Sequence, residues 1–414
     1  MASTIKHMPY LLPLALTIGA LTTGYALPAR AITLTSDGHA AGAQCGAAGV
    51  NDSNYRVGNC TPGNASDPTQ PWVDLGTGTQ TKLPLLASGQ SSIAGGINNN
   101  NLIIGSCKNA SDVWFACTWD GNNPSNPPVV LNPIGGLLGL GADVTTSASG
   151  FNQHGDVVGQ SCSGSGNCTA VIWPAGTSTA MLVSSRNDNS GAVDVNDTLV
   201  NGLPSVAVNT PKASGTASGG VAQATGLLSA YVLTSLPCPS GSTYCTVAAI
   251  NNAGQAAGTS HFPAPDEPNA TFWSSFGGTP KRLNLTNFPR HGAIFLNNVA
   301  SVIVSYQNAN GQFEPAFWKP LNSTISFIPC LTGGKTCAVA ALADNADKVL
   351  VNSENGSQTV EAEVWTPTGG AVPVGFEGGG VNSGFSDISP NGSYGAGGAE
   401  NSAENSDAVD AVLP

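Results

Sequence analysis

Short apolar runs separated by turn residues recur along the whole chain. No window sustains a 3.6-residue apolar period bounded by helix caps, so strands are expected nearly everywhere and helix nearly nowhere. The recurring phrase is an apolar residue, then Asn or a small residue, turn residues, an apolar pair and Gly. It stands as Val50-Asn51-Asp52 leading to Val57-Gly58, as Ile97-Asn98-Asn99 to Ile104-Gly105, and as Phe151-Asn152-Gln153 to Val158-Gly159. More degenerate copies begin at Val195-Asn196-Asp197, Ile250-Asn251-Asn252, Leu296-Asn297-Asn298, Leu342-Ala343-Asp344 and Ile388-Ser389. Taking the second residue as the anchor gives 51, 98, 152, 196, 251, 297, 343 and 389, with steps of 44 to 55 residues.

Tryptophan supplies an independent marker of the same period. Trp72, Trp119, Trp173, Trp273, Trp318 and Trp365 each follow their anchor by 21 or 22 residues, and only Trp114 falls outside the series. The approach to Trp is patterned too, as in Ala116-Cys117-Thr118-Trp119, Ala170-Val171-Ile172-Trp173, Ala270-Thr271-Phe272-Trp273 and Ala362-Glu363-Val364-Trp365. Each unit then reads as four short strands: an apolar stretch before the anchor, the pair before Gly, the strand ending in Trp, and a last strand such as Leu83–Leu86, Leu283–Leu285 or Ile325–Ile328. Four strands every 44 to 55 residues match the blade length of a β-propeller, and a Trp at one fixed phase is what packing between neighbouring blades requires. The expected fold is therefore all-β, a propeller of about eight four-stranded blades, or seven if the first or last unit is only a cap. Two stacked β-sandwiches would not demand that Trp phase.

Two long steps mark insertions. One holds the apolar, Gly-rich loop 132–143 with Ile134, Leu137, Leu138 and Leu140; the other, 202–224, is rich in Ser, Thr, Gly and Ala and reads as a mobile linker, with Leu233 of Ala230–Leu233 replacing the missing Trp. The last unit stops after Ala411-Val412-Leu413, and the apolar stretch Ile32–Thr35 is expected to supply its fourth strand, closing the ring and removing exposed sheet edges.

Composition changes the picture mainly at the ends and at the cysteines. Residues 1–31 read as an export signal, with Lys6, an apolar run Leu11–Ala26 and the small-x-small site Ala29-Arg30-Ala31, leaving 32–414 as a single domain. The run is too short to span a bilayer comfortably, so no stable membrane insertion is expected. With 13 Lys and Arg against 25 Asp and Glu, a net charge of −12 excludes nucleic acid as a partner. Ten cysteines in an exported chain read as disulfides, and the repeat pairs them locally: Cys107 with Cys117 and Cys162 with Cys168 across a hairpin, Cys238 with Cys245 and Cys330 with Cys337 across the turn between blades, and the remaining Cys45 with Cys60. Their spacing lacks the converging C-x2-C pairs of a zinc site, so no metal or other cofactor is expected.

The phrases Ile97-Asn98-Asn99…Ile103-Ile104-Gly105, Phe151-Asn152…Val157-Val158-Gly159-Gln160-Ser161 and Ile250-Asn251-Asn252-Ala253-Gly254-Gln255…Gly258-Thr259-Ser260 resemble the HAF-type repeat of probable extracellular bacterial proteins, over about residues 50–413. That repeat continues into H-A-F-x-W, whereas here Phe115, Thr169, Asn269, Pro315 and Glu361 stand where it has His. The resemblance implies a secreted propeller-like repeat protein and brings no catalytic residues.

Candidate chemistry is sparse. His39, His154, His261 and His291 fall in expected turns, and neither a G-x-S-x-G elbow nor an H-E-x-x-H motif occurs. Of the paired carboxylates, Asp266-Glu267 and Glu361 with Glu363, the second pair shares one strand face, expected to be solvated with Ala362 and Val364 inward. Asp188 to Asp194 lacks the Gly and terminal Glu of a calcium loop. No catalytic residue is assigned. The expected function is a non-catalytic binding or surface-interaction module, extracellular or periplasmic and monomeric, whose partner is a cell-surface protein or glycan met near loop 132–143. The alternative is a propeller-borne glycoside hydrolase or polysaccharide lyase, which requires three or more Asp, Glu or His to converge in one central pocket.

Overall fold

The computed structural model describes residues 32–38, 43–64, 67–135, 142–212, 215–226, 230–263, 268–285, 287–288, 290–331, 333–334, 336–357 and 359–414. Among them all regular secondary structure is β, in consecutive antiparallel meanders. Six meanders form separate four-stranded sheets: residues 43–82, 92–130, 145–182, 291–327, 337–373, and 383–412 completed by 34–38. The meanders of 191–235 and 244–282 join into one eight-stranded sheet through a single parallel bridge, Ser218 to Cys245. The architecture is a β-propeller, and its meanders are called units one to eight in chain order.

The anchor and Trp phases both have a physical cause. Trp72, Trp119, Trp173, Trp273 and Trp318 are at most 1% exposed and Trp365 is buried, so the marker series is core. The hydrophobic clusters run from each unit to the next; one joins Val57, Val73 and Leu83 of unit one to Ile103 and Trp119 of unit two. In every unit the register of the first strand slips just before the anchor, as between Ala148 and Gly150 in unit three and Val247 and Ala249 in unit five. The glycine closing the repeated phrase answers that bulge: a Cβ on Gly159 would lie 1.9 Å from the Ser147 carbonyl oxygen. The patterned Ala before Trp donates its backbone N–H to the side chain six residues before the next unit's anchor, Ala116 to Thr146 Oγ1, Ala170 to Ser190 Oγ, Ala270 to His291 Nδ1 and Ala362 to Ser383 Oγ.

All five disulfides form as the repeat pairs them: Cys45–Cys60, Cys107–Cys117 and Cys162–Cys168 within units, Cys238–Cys245 and Cys330–Cys337 between neighbouring units. Bridges of this number fit an oxidising compartment. Strand Leu34–Gly38 pairs with Ser406–Val412, starting two residues later than the expected stretch at Ile32.

Unit four differs from its sequence reading. Residues 202–224 are no linker; Leu203–Pro211 and Ala217–Ala224 are its second and third strands, and Tyr231–Ser235, read as the counterpart of the Trp strand, is the fourth. The first strand runs on to Val200 through a second slip between Val195 and Leu199, which displaces every later element from the common spacing. The last strands of units one and five are also shorter than expected, Thr81–Lys82 and Pro280–Arg282, leaving Leu83 and Leu283 just beyond them as buried plugs.

Candidate functional site: the axial cavity

The innermost strands converge on an axis, and the anchors hold them together there. Asn51 Nδ2 donates to the Asn98 carbonyl, Asn98 to Asn152, Asn152 to Asn196, Asn196 to Asn251, Asn251 to Asn297 and Asn297 to Ala343, at 2.9–3.3 Å. Each Oδ1 turns back to accept N–H groups of its own turn, as Asn251 does from Ala253 and Gln255. Both ends of the carboxamide are thus used, which Ala or Ser cannot reproduce.

The residue after each anchor builds a second belt. Asp52 N–H donates to Asn99 Oδ1, Asn99 to Gln153 Oε1, Gln153 to Asp197 Oδ1, Asp197 to Asn252 Oδ1 and Asn252 to Asn298 Oδ1. At unit seven the pattern changes: Asn298 N–H takes the Asp344 backbone carbonyl, Asn345 N–H takes the Pro390 carbonyl, and Asn391 N–H returns to Asp52 Oδ1. The Asp344 carboxylate is thereby released from the belt, and among the described residues no hydrogen bond reaches it.

Inside lies a cavity of about 280 Å³ lined by Val193, Asp194, Asp197, Ile294, Asn298 and Asp344, among others from units three to seven. Asp194 Oδ2 accepts the Ile250 N–H of the next unit at 2.8 Å, and its counterpart Asp387 accepts Val50 N–H of unit one at 3.0 Å. Burial raises Asp194 and Asp387 to about 7, with the Asp344 charge adding to both. Asp344 is raised to about 6, first by the surrounding protein, then by the charges of Asp197 and Asp52. Asp344 remains exposed to the cavity, and the protein packed around it displaces part of the water that would otherwise solvate its charge. Three carboxylates, Asp194, Asp197 and Asp344, with Asn and Gln side chains form an anionic well that suits an ammonium or guanidinium group. Among the described residues no set of three or more His, Cys, Asp or Glu is arranged to hold a metal ion.

Sequence reasoning passed over Asp387 and weighed Asp194 only as the end of a calcium loop. The available signal was their position two residues before the anchor, where the other units carry Gly49, Gly96, Gly150, Ala249, Phe295 and Ala341, so a carboxylate there is out of pattern.

The residues singled out from the sequence lie elsewhere. Of the loop residues, Ile134 is half-buried against the cluster around Trp173, and its N–H donates to Ser161 Oγ; Leu137, Leu138 and Leu140 lie outside the described residues. Two of the turn histidines belong to strands: His261 ends Ala256–His261 and stacks on Tyr244 at 4.1 Å, while His291 opens His291–Leu296 and is buried. Burial, with the Arg282 charge behind it, lowers His291 to about 4, so it serves as a neutral acceptor rather than an acid. His154 is exposed and His39 lies outside the described residues. Glu363 is not on a solvated face but 1% exposed, because its strand is covered on both sides, and burial raises it to about 7. Asp266 and Glu267 lie outside the described residues.

No family model matches the chain, and no curated protein matches it. Among solved structures it is similar to prolyl oligopeptidase B from Galerina marginata, at TM-score 0.56 and 10% identity over 88% of this chain and 54% of that one. A prolyl endopeptidase gives TM-score 0.55 and 10% identity over 80% and 49% of the two chains, and a puromycin-hydrolyzing peptidase of Mycobacterium tuberculosis gives 0.50 and 11% over 83% and 56%. The chain spans about half the length of these peptidases. The likeness defines a propeller. It also overturns the expectation of a non-catalytic surface-interaction module with a polysaccharide-acting alternative: the neighbours are peptidases, and nothing in them establishes a non-catalytic role. Among the described residues no helix is long and apolar enough to cross a membrane.

Proposed function

We propose that the chain is a secreted, monomeric ring of eight blades, akin to the HAF-type repeat proteins, whose axial well admits cationic peptide segments within a proteolytic system. The observation that carries this reading is the convergence of Asp194, Asp197 and Asp344 on one cavity, with the Asp344 carboxylate free of protein donors. A Lys or Arg side chain would neutralise charge that the fold leaves unbalanced, and its aliphatic stem would pack on Val193 and Ile294. The peptidase neighbours support peptide as the ligand class. The eight repeated bulges, the belt returning from Asn391 to Asp52 and the pairing of strand 34–38 with 406–412 support a closed eight-unit ring. The disulfides support an extracellular or periplasmic setting.

Calorimetric titration of the full chain with short Lys- and Arg-containing peptides, against norleucine counterparts, tests the reading. Cationic peptides are expected to bind, more tightly at pH 8 than at pH 5 because the raised carboxylates ionise across that interval. Binding should weaken at least tenfold in Asp344→Asn and at high salt. Equal affinity for the norleucine peptides, or no response to Asp344→Asn, overturns it.

A further inference from the structure

The junction between unit eight and unit one is built unlike any other. Arg56, in strand Arg56–Pro62, is buried with three carboxylates from three other strands: Asp37 of Leu34–Gly38, Asp74 of Gln70–Asp74 and Asp410 of Ser406–Val412. Its guanidinium lies 2.9 Å from Asp37 Oδ1 and 2.8 Å from Asp410 Oδ2, and it also hydrogen-bonds Asp74.

The three acids are not equally supported. Asp74 also accepts the Thr77 and Gly78 N–H groups and the Thr77 hydroxyl, and Asp410 accepts Asn54 Nδ2. Among the described residues no donor beyond the guanidinium reaches Asp37, whose carboxylate is wholly buried. The charged groups facing it are Arg56, Asp74 and Asp410. With all three acids ionised, one cation would face three anions in a dry site, so the cluster favours a proton on its least supported member, which can then donate to Asp74.

We infer that this cluster is a proton-operated latch: with Asp37 protonated it fastens strand 34–38 to the sheet edge at 406–412, and ionisation of Asp37 loosens that strand while the junction between units two and three stays shut. Burial first, then Asp410 and Asp74, raise Asp37 to about 7, against the pull of Arg56. An acid whose pKa is higher folded than unfolded holds its proton longer in the folded state, so the latch weakens as pH rises from about 4 through 7. The junction between units two and three rests on uncharged Asn, Gln and Thr contacts and has no equivalent response, whereas the junction between units four and five carries Asp194, which titrates in the same range.

Hydrogen exchange of the full chain between pH 5.5 and 8.5, corrected for the intrinsic rate, reads the latch directly. Amides of 34–38 and 406–412 are expected to lose protection at least tenfold between pH 5.5 and 7 and little more above it, while the first strand of unit three, 145–151, stays protected. Asp37→Asn should remove the step. Asp410→Asn, which leaves the Arg56–Asp37 pair in place and removes one of the charges behind Asp37, should move the step to lower pH, and serves if the first variant folds poorly. A step that survives unchanged in both variants, that spreads equally to 145–151, or that is absent from the parent protein overturns the inference.

Discussion

The junction between units three and four and the junction between units eight and one perform the same task with different chemistry. At the first, Ile172 is fully buried against Val195, Val206 and Val208, Asn152 reaches across to the Asn196 carbonyl and Ala170 donates to Ser190 Oγ. Nothing charged is needed, because neutral carboxamides and hydroxyls satisfy the buried backbone at small desolvation cost. At the second, the anchor has become Ser389, whose hydroxyl accepts only from its own turn, at Ser393 and Tyr394, and has no carboxamide to extend to unit one. The Arg56 cluster and the strand exchanged between the chain's two ends take over. A junction of neutral hydrogen bonds is insensitive to pH, whereas one built on a guanidinium and three carboxylates inherits their titration.

The largest expected effect tests the neutral junction. Ile172→Ala should lower the free energy of unfolding by about 2–5 kcal/mol, with the same loss at pH 5.5 and 8, measured by denaturant titration. A loss that differs strongly between the two pH values would erase the distinction between junctions. Asn152→Ala should cost about 1–3 kcal/mol, because it leaves the Asn196 carbonyl without its donor and the Asp156 N–H without its acceptor. Ser389→Ala, which loses only contacts within its own turn, should cost less. The smallest effect concerns slope. Asp194 has a folded pKa near 7 against an unfolded value near 4, so the native state binds more protons across that window and stability falls as pH rises through it. Asp194→Asn should flatten the decline of Tm between pH 4 and 7, and an unchanged slope would remove Asp194 from the titrating set.

The sequence made the repeating frame legible because the frame is a matter of spacing. Trp, the patterned Ala, the closing Gly and the anchor Asn each occupy one phase, and the cysteine couples follow once the phases are known. What escaped depends on contact across units rather than on distance along the chain. Residues 203–224 were misread because low apolar bulk resembles a linker, although Val206, Val208 and Ala222 are fully buried. Glu363 was placed in solvent because strand alternation separates two faces but does not say whether the second is covered. Asp194 and Asp387 gain their meaning only when five inner strands meet, which no single repeat displays.

The ladder of anchors has a direction. Every carboxamide donates to the unit that follows it in the chain and none to the unit before, so the bonds circulate in one sense around the axis. Damage to one anchor is therefore one-sided: loss of the Asn152 side chain deprives Asn196 downstream, while the Asn152 carbonyl still receives Asn98 from upstream. A lesion in such a ring leaves its predecessor served and its successor wanting, and the circulation ends at Ala343, whose methyl side chain has nothing to donate to unit eight.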